Sequence, residues 1–421
     1  MNYTAEIIAV GTEILLGNIS NTDAKDVSEA LSELGINVYY HTVVGDNPER
    51  VRAAVDIAKE RADIIITTGG LGPTYDDLTK QTLAAAFGKE MYFDEAQADK
   101  IKSYFASQPG RKMTPNNLQQ AWLPIGCTVF ENSCGTAPGC AFESNGRHVL
   151  MLPGPPRECR AMIKTGVMPY LTKLQEAEIH SHNIRVFGMG ESTMEAKLHD
   201  MMTELTNPTL APYAKEGEAM CRLTARAKSK EEAEKMMAPV LEKVREILGD
   251  VIYGVDVDSL EQAVFLALKE AGKTVAFAES CTGGLASKRL TDLPGASAVF
   301  PGGIVTYSNS AKAELLGIDP ALIEEKGAVS AEVALEMARS VRNRLGADIG
   351  IGITGVAGPD SDEKGNPVGT VFIGLSAEDR EMSREFHMKT DRLRVRIMAA
   401  NNAFDTLRRY LGGLELPENF I

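Results

Sequence analysis

The segment AESCTGGLAS, residues 278–287, contains the residue types that nucleophilic hydrolysis of an acyl group requires. Ser280 follows small apolar residues typical of a buried strand, and Gly283 and Gly284 come soon after it. On a strand-to-helix turn, a serine hydroxyl is exposed at the edge of a sheet, where nearby backbone N–H groups bind substrate or an oxyanion. Cys281 is an alternative nucleophile, because a helix N-terminus activates a thiol.

A serine hydroxyl attacks only after a base has taken its proton. Histidine is the usual base, but His387 is the only histidine in residues 256–421. A lysine can replace it where burial or a nearby cation lowers the lysine pKa. Lys312 is the candidate base, in the run VTYSNSAK with Tyr307 five residues before it.

Two further loops have the composition of a ligand site. They are GTEILLGNISNTDA at 11–24 and TTGGLGPTYDD at 67–77, and each directly follows an expected strand. Open α/β sheets bind ligands at the carboxyl ends of their parallel strands. Gly69, Gly70 and Gly72 allow backbone N–H groups to approach an anion there.

Carboxylates accompany these glycines. Asp76 and Asp77 stand in the second loop, and Asp46 ends another expected strand. Two carboxylates beside a phosphate would repel it unless a divalent cation lay between them, as in metal-assisted phosphate chemistry. The pattern therefore predicts a metal and phosphate site at this edge of the sheet.

The elements around both sites follow hydrophobic periodicity. In residues 1–170 strands near 6–10, 36–44 and 62–70 alternate with helices, the third helix running from about Asp76 to Phe87, and this alternation predicts a parallel sheet with covered faces. Residues 171–255 have the order βαββαβ, which is typical of a small split-βαβ domain. A second α/β block fills 256–421. We therefore expect two open α/β domains with mixed or parallel sheets, joined by a small α+β domain.

The charge balance disfavours a nucleic-acid-binding protein. The 421 residues include 44 Lys plus Arg and 58 Asp plus Glu, a formal net charge of −14, whereas broad phosphate neutralisation needs a basic surface.

Apolar runs stay below the roughly 18 residues of a membrane span, and the first residues lack the basic leader of a secretory signal. The six cysteines include no C-x-x-C pair. We expect a cytoplasmic protein with reduced thiols and no membrane contact.

The first block resembles a known family through GTEILLGNISNTDA, VGDN, TGGLGPTYDD and PGPPRE. These motifs resemble the N-terminal domain of the CinA family (competence/damage-inducible protein A), which is similar to the molybdopterin-binding fold of molybdenum cofactor biosynthesis proteins. Some family members are associated with metal-dependent ADP-ribose pyrophosphatase activity. The resemblance implies that Asp46, Asp76 and Asp77 are metal or phosphate-site residues, with ADP-ribose as substrate and Mg²⁺, Mn²⁺ or Co²⁺ as the cation.

The last block resembles the C-terminal CinA domain through ESCTGG, FPGGIVTYSNSAK, GAVS, ITGVAGPD, PVGTVFIGL and TDRLRVR. That domain is similar to the stand-alone nicotinamide mononucleotide deamidases, which release ammonia and nicotinic acid mononucleotide and need no metal. The resemblance implicates Ser280, Ser297, Tyr307, Lys312, Thr354 and Arg392.

We assign roles to these six residues as follows. A serine attacks the amide carbon and Lys312 takes its proton, while Tyr307 orients the lysine. Thr354 donates to the substrate or the oxyanion, and Arg392 binds the 5′-phosphate with its fork of donors. Ser280 is the favoured nucleophile because of its strand-end position, and Ser297 is the alternative.

Several alternatives stay open at this stage. The family places a KH-like domain in 171–255, but no GXXG loop occurs there, so a packing or hinge role is expected instead of RNA binding. The N-terminal domain could bind a ligand without turnover, or the whole chain could be a non-enzymatic partner of the DNA-uptake machinery. A long C-terminal helix is typical of a dimer interface, so we expect a homodimer.

Overall fold

The central strands of the first sheet are runs of β-branched and small apolar residues that are buried on both faces. In the computed structural model, which describes residues 3–108, 110, 112–174, 178–215 and 218–416, this sheet has the strand order β2-β1-β3-β8-β7-β6. The pairings from β2 to β8 are parallel, and β7 and β6 are antiparallel. The elements are β1 (Thr4–Val10), α1 (Thr12–Leu15), α2 (Thr22–Glu33), β2 (Asn37–Val44), α3 (Pro48–Arg61), β3 (Ile64–Thr68), α4 (Thr79–Ala86), β4 (Met91–Phe93), α5 (Glu95–Ala106), β5 (Trp122–Pro124), β6 (Thr128–Phe130), β7 (Gly139–Ser144), β8 (Arg147–Leu152), α6 (Pro156–Met162) and α7 (Met168–Thr172).

The start of α4 differs from the sequence prediction. The helix begins at Thr79, whereas Asp76 was expected to open it. The reason is local: the backbone N–H of Thr74 donates to Asp77 Oδ2 at 2.8 Å, and the Thr74 hydroxyl donates to the carboxylates of Asp76 and Asp77. These bonds fold residues 74–77 into a turn that competes with the helix.

The middle segment has the βαββαβ order that the sequence predicts. Its four-stranded sheet has the order β10-β11-β9-β12. The elements are β9 (Glu178–Val186), α8 (Glu191–Glu204), β10 (Thr209–Lys215), β11 (Glu218–Ala227), α9 (Lys230–Leu248) and β12 (Ile252–Val255).

The last sheet has the order β14-β13-β15-β16-β17, with β14, β13 and β15 parallel and the other two strands antiparallel. Its elements are α10 (Leu260–Ala271), β13 (Val275–Glu279), α11 (Leu285–Thr291), β14 (Gly302–Val305), α12 (Asn309–Leu316), α13 (Pro320–Lys326), α14 (Ala331–Leu345), β15 (Ile349–Gly355), β16 (Thr370–Ser376), β17 (Glu381–His387) and α15 (Arg392–Leu411). The expected class of two mixed α/β sheets with a small α+β segment is confirmed.

Glycines in this last sheet allow α14 to approach the strands closely. A Cβ at Gly352 would lie 2.2 Å from the carbonyl oxygen of Ala334, and one at Gly374 would lie 2.2 Å from the same oxygen. Any larger residue at either position would push the helix away from the sheet.

The chain separates into two compact units, one of residues 1–180 with 226–234 and the other of residues 181–225 with 235–421. The division into 1–170, 171–255 and 256–421 stays a prediction. Among the described residues, no helix combines the length and the apolar character needed to cross a membrane.

Candidate active sites

The first candidate site lies where three adjacent parallel strands end. Ser280 directly follows β13, Thr306 directly follows β14, and Thr354 is the next-to-last residue of β15. The N–H of Ser280 donates to Ile353 O at 2.9 Å, and Gly283 and Gly284 then turn the chain into α11 with φ of 59° and 92°. A residue with a Cβ is strained at these two positions.

Lys312 and Ser280 meet at this edge. Lys312 Nζ lies 3.0 Å from Ser280 Oγ and donates to the carbonyl oxygen of Thr306 at 2.9 Å. Lys312 is 1% exposed and Ser280 is 7% exposed. Burial lowers the pKa of Lys312 from 10.5 to about 8, because a low-polarity surrounding disfavours the ammonium form. At pH 7 about one lysine in ten is then neutral and able to take the serine proton.

A buried carboxylate closes the loop that carries Ser280. Glu279 is 0% exposed, and its carboxylate accepts hydrogen bonds from the N–H groups of Gly284, Ala286 and Ser287 at 3.0, 3.1 and 2.8 Å. The hydroxyl of Ser287 donates to it at 2.6 Å. These N–H groups at the start of α11 are therefore already occupied and do not serve as an oxyanion hole.

Arg396 holds the same loop from the side of α15. Its Nε donates to Cys281 O at 3.1 Å, and its Nη2 donates to Thr282 O at 2.8 Å. The guanidinium thus fixes the two carbonyl groups that follow the serine.

Cys281 and Ser297, the alternative nucleophiles, have unsuitable surroundings. Burial raises the pKa of the Cys281 thiol to about 12, so the thiol is protonated near neutral pH. Ser297 is exposed in a turn at 296–298, ahead of β14. Because Val275 N donates to Val299 O, this turn lies at the amino end of β13, the opposite edge from Ser280. The structure does not bring Ser297 and Lys312 together within the chain.

Two predicted site residues have hydrogen-bond partners within the chain, and their predicted roles stay predictions. Tyr307 was expected to orient Lys312, but its hydroxyl accepts a hydrogen bond from Arg392 Nη2 at 2.8 Å, while Arg392 Nη1 donates to Gly358 O at 2.5 Å. Thr354 was expected to donate to substrate, but its hydroxyl donates to Ala328 O at 2.7 Å. The backbone carbonyl of Thr306 holds the lysine, and Thr354 ties the end of β15 to a neighbouring loop.

The second candidate site is a cleft of about 510 Å³ at the carboxyl edge of the first sheet. Its lining includes Asp46, Gly69, Gly70, Gly72 and Asp77. A Cβ at Gly69 would lie 2.1 Å from a backbone oxygen, and one at Gly72 would lie 2.5 Å from Asp77 Oδ2. A side chain at Gly69 would therefore collide with the backbone of β1, and one at Gly72 would collide with the Asp77 carboxylate.

Two of the three predicted aspartates, Asp46 and Asp77, line this cleft, and Asp76 shares the Thr74 hydroxyl with Asp77. Asp46 Oδ2 accepts from Thr12 N and Oγ1 at 2.8 and 2.9 Å, and Asp77 Oδ2 accepts from Thr74 N at 2.8 Å. Asp76 is absent from the lining. Within the described residues no three His, Cys, Asp or Glu side chains converge as metal ligands. Mg²⁺ commonly uses one or two carboxylates together with substrate phosphates, so Asp46 and Asp77 fit that donor set.

Comparison with known proteins gives the family. Three family models match: "CinA C-terminal domain" over 257–411, "Probable molybdopterin binding domain" over 6–173 and "Damage-inducible protein CinA KH domain" over 181–254. A CinA-like protein of Dictyoglomus turgidum is 47% identical over 406 residues, which cover 96% of this chain and 98% of the relative. The chain belongs to the CinA family.

A second relative and one solved structure are also named as CinA proteins. A CinA-like protein of Kosmotoga olearia is 47% identical over 407 residues, covering 97% of this chain and 98% of the relative. A solved CinA superfamily structure from Klebsiella pneumoniae is 31% identical and covers 37% of this chain and 96% of that chain, with a TM-score of 0.36.

Sequence reasoning missed two residues of the C-terminal site in this CinA chain. Glu279 is next to Ser280 in the sequence. A glutamate in an apolar strand does not by itself indicate that its carboxylate accepts hydrogen bonds from the start of the following helix. Arg396 lies 115 residues after Cys281, whose carbonyl it contacts, and only the folded chain shows that pairing. The signal for Glu279 was a charge at a position the strand pattern buries, since buried charges need partners.

Proposed function

We propose that the C-terminal α/β segment hydrolyses the carboxamide of nicotinamide mononucleotide to nicotinic acid mononucleotide and ammonia. The observation that carries this proposal is the 3.0 Å contact between Lys312 Nζ and Ser280 Oγ, combined with a lysine pKa of about 8. A hydroxyl beside a partly neutral amine is an activated nucleophile. The likeness of this segment to stand-alone deamidases supports the choice of substrate.

The first half of the reaction forms an ester. Ser280 Oγ attacks the carboxamide carbon while its proton passes to neutral Lys312 Nζ, which gives a tetrahedral oxyanion and an ammonium. Lys312 then returns the proton to the leaving nitrogen, the C–N bond breaks, and ammonia departs. The same group acts first as base and then as acid.

The second half restores the enzyme. Water attacks the ester carbon and gives a proton to Lys312, and that proton returns to Ser280 Oγ as the C–O bond breaks. Nicotinic acid mononucleotide leaves with the new carboxyl group. Arg392 is exposed at the start of α15 and held by Tyr307 and Gly358, a position that suits a guanidinium for the 5′-phosphate.

Ammonia release from nicotinamide mononucleotide at neutral pH with EDTA tests this proposal. We expect release by the intact protein, loss in Ser280→Ala and Lys312→Ala, and retention in Ser297→Ala. Lys288→Ala is the matched control, since this lysine is 67% exposed on α11. Absence of release from the folded intact protein would refute the deamidase proposal, and loss only in Ser297→Ala would move the nucleophile to that serine.

We propose a second activity for the N-terminal cleft, the metal-dependent hydrolysis of ADP-ribose to AMP and ribose 5-phosphate. The specific observation is that Asp46 and Asp77 line the same cleft as Gly69, Gly70 and Gly72. These carboxylates would hold the divalent cation, which neutralises phosphate charge and activates water when bound. These glycines let the diphosphate approach the backbone. Thr12 and Thr74 orient the two carboxylates.

Assays of AMP formation with added Mg²⁺, Mn²⁺ or Co²⁺ test the second activity. Asp77→Asn and Asp46→Asn should abolish turnover, and Asp76→Asn measures the contribution of the carboxylate that shares the Thr74 hydroxyl with Asp77. Binding of ADP-ribose without turnover by the intact protein would favour a ligand-binding domain instead. Absence of both activities would favour a non-enzymatic partner protein.

A further inference from the structure

An aspartate that the proposed chemistry does not use faces the N-terminal cleft. Asp23 stands in the first turn of α2 and belongs to the cleft lining. It is 7% exposed, and its Oδ1 has no hydrogen-bond partner among the described residues. Buried carboxylate oxygens are normally satisfied, so this atom needs an explanation.

Two neighbouring side chains make the helix cap and the ion pair that an aspartate at this position often makes. Asn21 caps α2, because its side chain accepts from Ala24 N at 3.2 Å. Asp26, one turn later, takes the ion pair with Arg160 at 2.6 Å. Burial and the nearby Asp26 raise the pKa of Asp23 to about 6, against the opposing effect of Arg160. Asp23 Oδ1 thus stays buried without a hydrogen-bond partner, while neighbouring side chains make the cap and the ion pair of this turn.

A second acceptor in the same lining has the same property. Gln120 is 2% exposed and lines the cleft, and its Oε1 has no partner in the described part of the chain. Its backbone oxygen, by contrast, receives Lys80 Nζ at 2.5 Å. Two buried acceptors that lack donors in one cleft point to donors supplied by a ligand.

We propose that Asp23 and Gln120 form a subsite that accepts hydrogen bonds from polar hydrogens of the ligand. The proposal rests on the assignment of this cleft to a nucleotide. Two parts of a nucleotide supply such hydrogens, the ribose hydroxyls and the exocyclic amine of the base. A cation is a poorer occupant, because Gln120 is a neutral amide and Asp23 is the only carboxylate of the pair.

Calorimetric titration in EDTA, which stops metal-dependent turnover, tests the subsite with ADP-ribose as probe. Asp23→Leu removes the acceptor and should weaken binding about ten- to a hundredfold, the range for a lost hydrogen bond to a charged group. Asp23→Asn keeps one carbonyl oxygen and should lose less. Asp26→Asn is the matched control on the same helix, and we expect its affinity to stay within about twofold of the intact protein.

Three smaller probes distinguish the source of the hydrogens. A loss that appears with ADP but not with inosine 5′-diphosphate, which lacks the exocyclic amine, assigns Asp23 to the base. A loss that also appears with ribose 5-phosphate assigns it to hydroxyls. Equal affinity of Asp23→Leu and the intact protein for ADP-ribose would overturn the subsite and leave the proposed hydrolase intact.

Unfolding by urea without ligand separates this proposal from the proposed function. Removing an unpartnered buried carboxylate should raise the urea midpoint at pH 7, as at sites where function opposes stability. If no probe binds the intact protein either in EDTA or with added Mg²⁺, the nucleotide assignment fails, and the urea midpoint then decides the role of Asp23. A higher midpoint for Asp23→Leu keeps it as a ligand-facing acceptor, and a lower midpoint makes it a structural residue and overturns the proposal.

Discussion

Replacing Lys312 by methionine should abolish deamidation and at the same time stabilise the fold. The lysine is 1% exposed, and its pKa falls from 10.5 to about 8 in the folded chain. Each pKa unit corresponds to about 1.36 kcal/mol, so holding the ammonium in this site costs about 3 kcal/mol. Methionine fills a similar volume and carries no charge.

Part of this gain is offset. Thr306 O and Ser280 Oγ, which accept from Lys312 Nζ at 2.9 and 3.0 Å, lose their donor, at a cost of about 1 kcal/mol each. We therefore expect Lys312→Met to be more stable by about 1 kcal/mol at pH 7. The advantage depends on pH in a defined direction. Below about pH 8 the lysine is charged in both states, so its full penalty is present. Between about 8 and 10.5 the unfolded chain binds more protons than the folded chain, so the intact protein gains stability as pH rises.

Urea unfolding of both proteins at pH 7 and pH 10, with ammonia release measured in parallel, checks this prediction. The stability difference should shrink at pH 10. Lys288→Met is the control: its side chain is 67% exposed in an ion pair with Asp292, and we expect changes within about 0.5 kcal/mol and full activity. A Lys312→Met protein less stable than the intact one at pH 7 would refute the claim that burial holds this lysine under strain.

Three further predictions concern the same site. The deamidation rate should rise about tenfold per pH unit up to about pH 8 and then level off, because neutral Lys312 is the base; a flat profile from pH 6 to 9 would contradict this. Cys281→Ala should keep most of the activity, since its buried thiol stays protonated, and ammonia release at neutral pH measures it. Glu279→Gln should lower stability by about 3 kcal/mol, measured in urea, because an amide cannot accept the four bonds of the carboxylate, and an unchanged midpoint would contradict that role.

The fold was predictable because its signals are local. The βαββαβ order of the middle segment and the strand ends at Ser280 and Thr354 follow from residue periodicity within windows of about ten residues. The start of α4 was not predictable from periodicity, because the Thr74 hydroxyl and N–H compete for the carboxylates of Asp76 and Asp77. Side-chain bonds to nearby groups regularly move helix ends in this way.

The candidate site was also predictable only in part: residue types could be named from the sequence, but most of their partners could not. Lys312 was named as the candidate base from residue type, and its pairing with Ser280 came from the resemblance to the CinA family; the structure places the two side chains 3.0 Å apart. The partner of Tyr307 could not be found that way, because Arg392 lies 85 residues later and its side chain reaches Tyr307 only through the packing of α15. Thr354 shows the same limit: type and position indicate a donor, but the acceptor, Ala328 O, is fixed by a loop conformation.

The arrangement at Glu279 has a consequence for how the oxyanion is stabilised. The N–H groups of Gly284, Ala286 and Ser287 are bound to the Glu279 carboxylate, so these three groups cannot also receive the developing negative charge. The positive charge that forms when Lys312 takes the serine proton is the compensating group 3.0 Å from the attacking oxygen. Burial that penalises this ammonium at rest strengthens its attraction to the oxyanion in the same low-polarity site. The lysine strain and the charge stabilisation are therefore two effects of one cause, and a variant that exposes Lys312 to water should raise its pKa and lower the rate together.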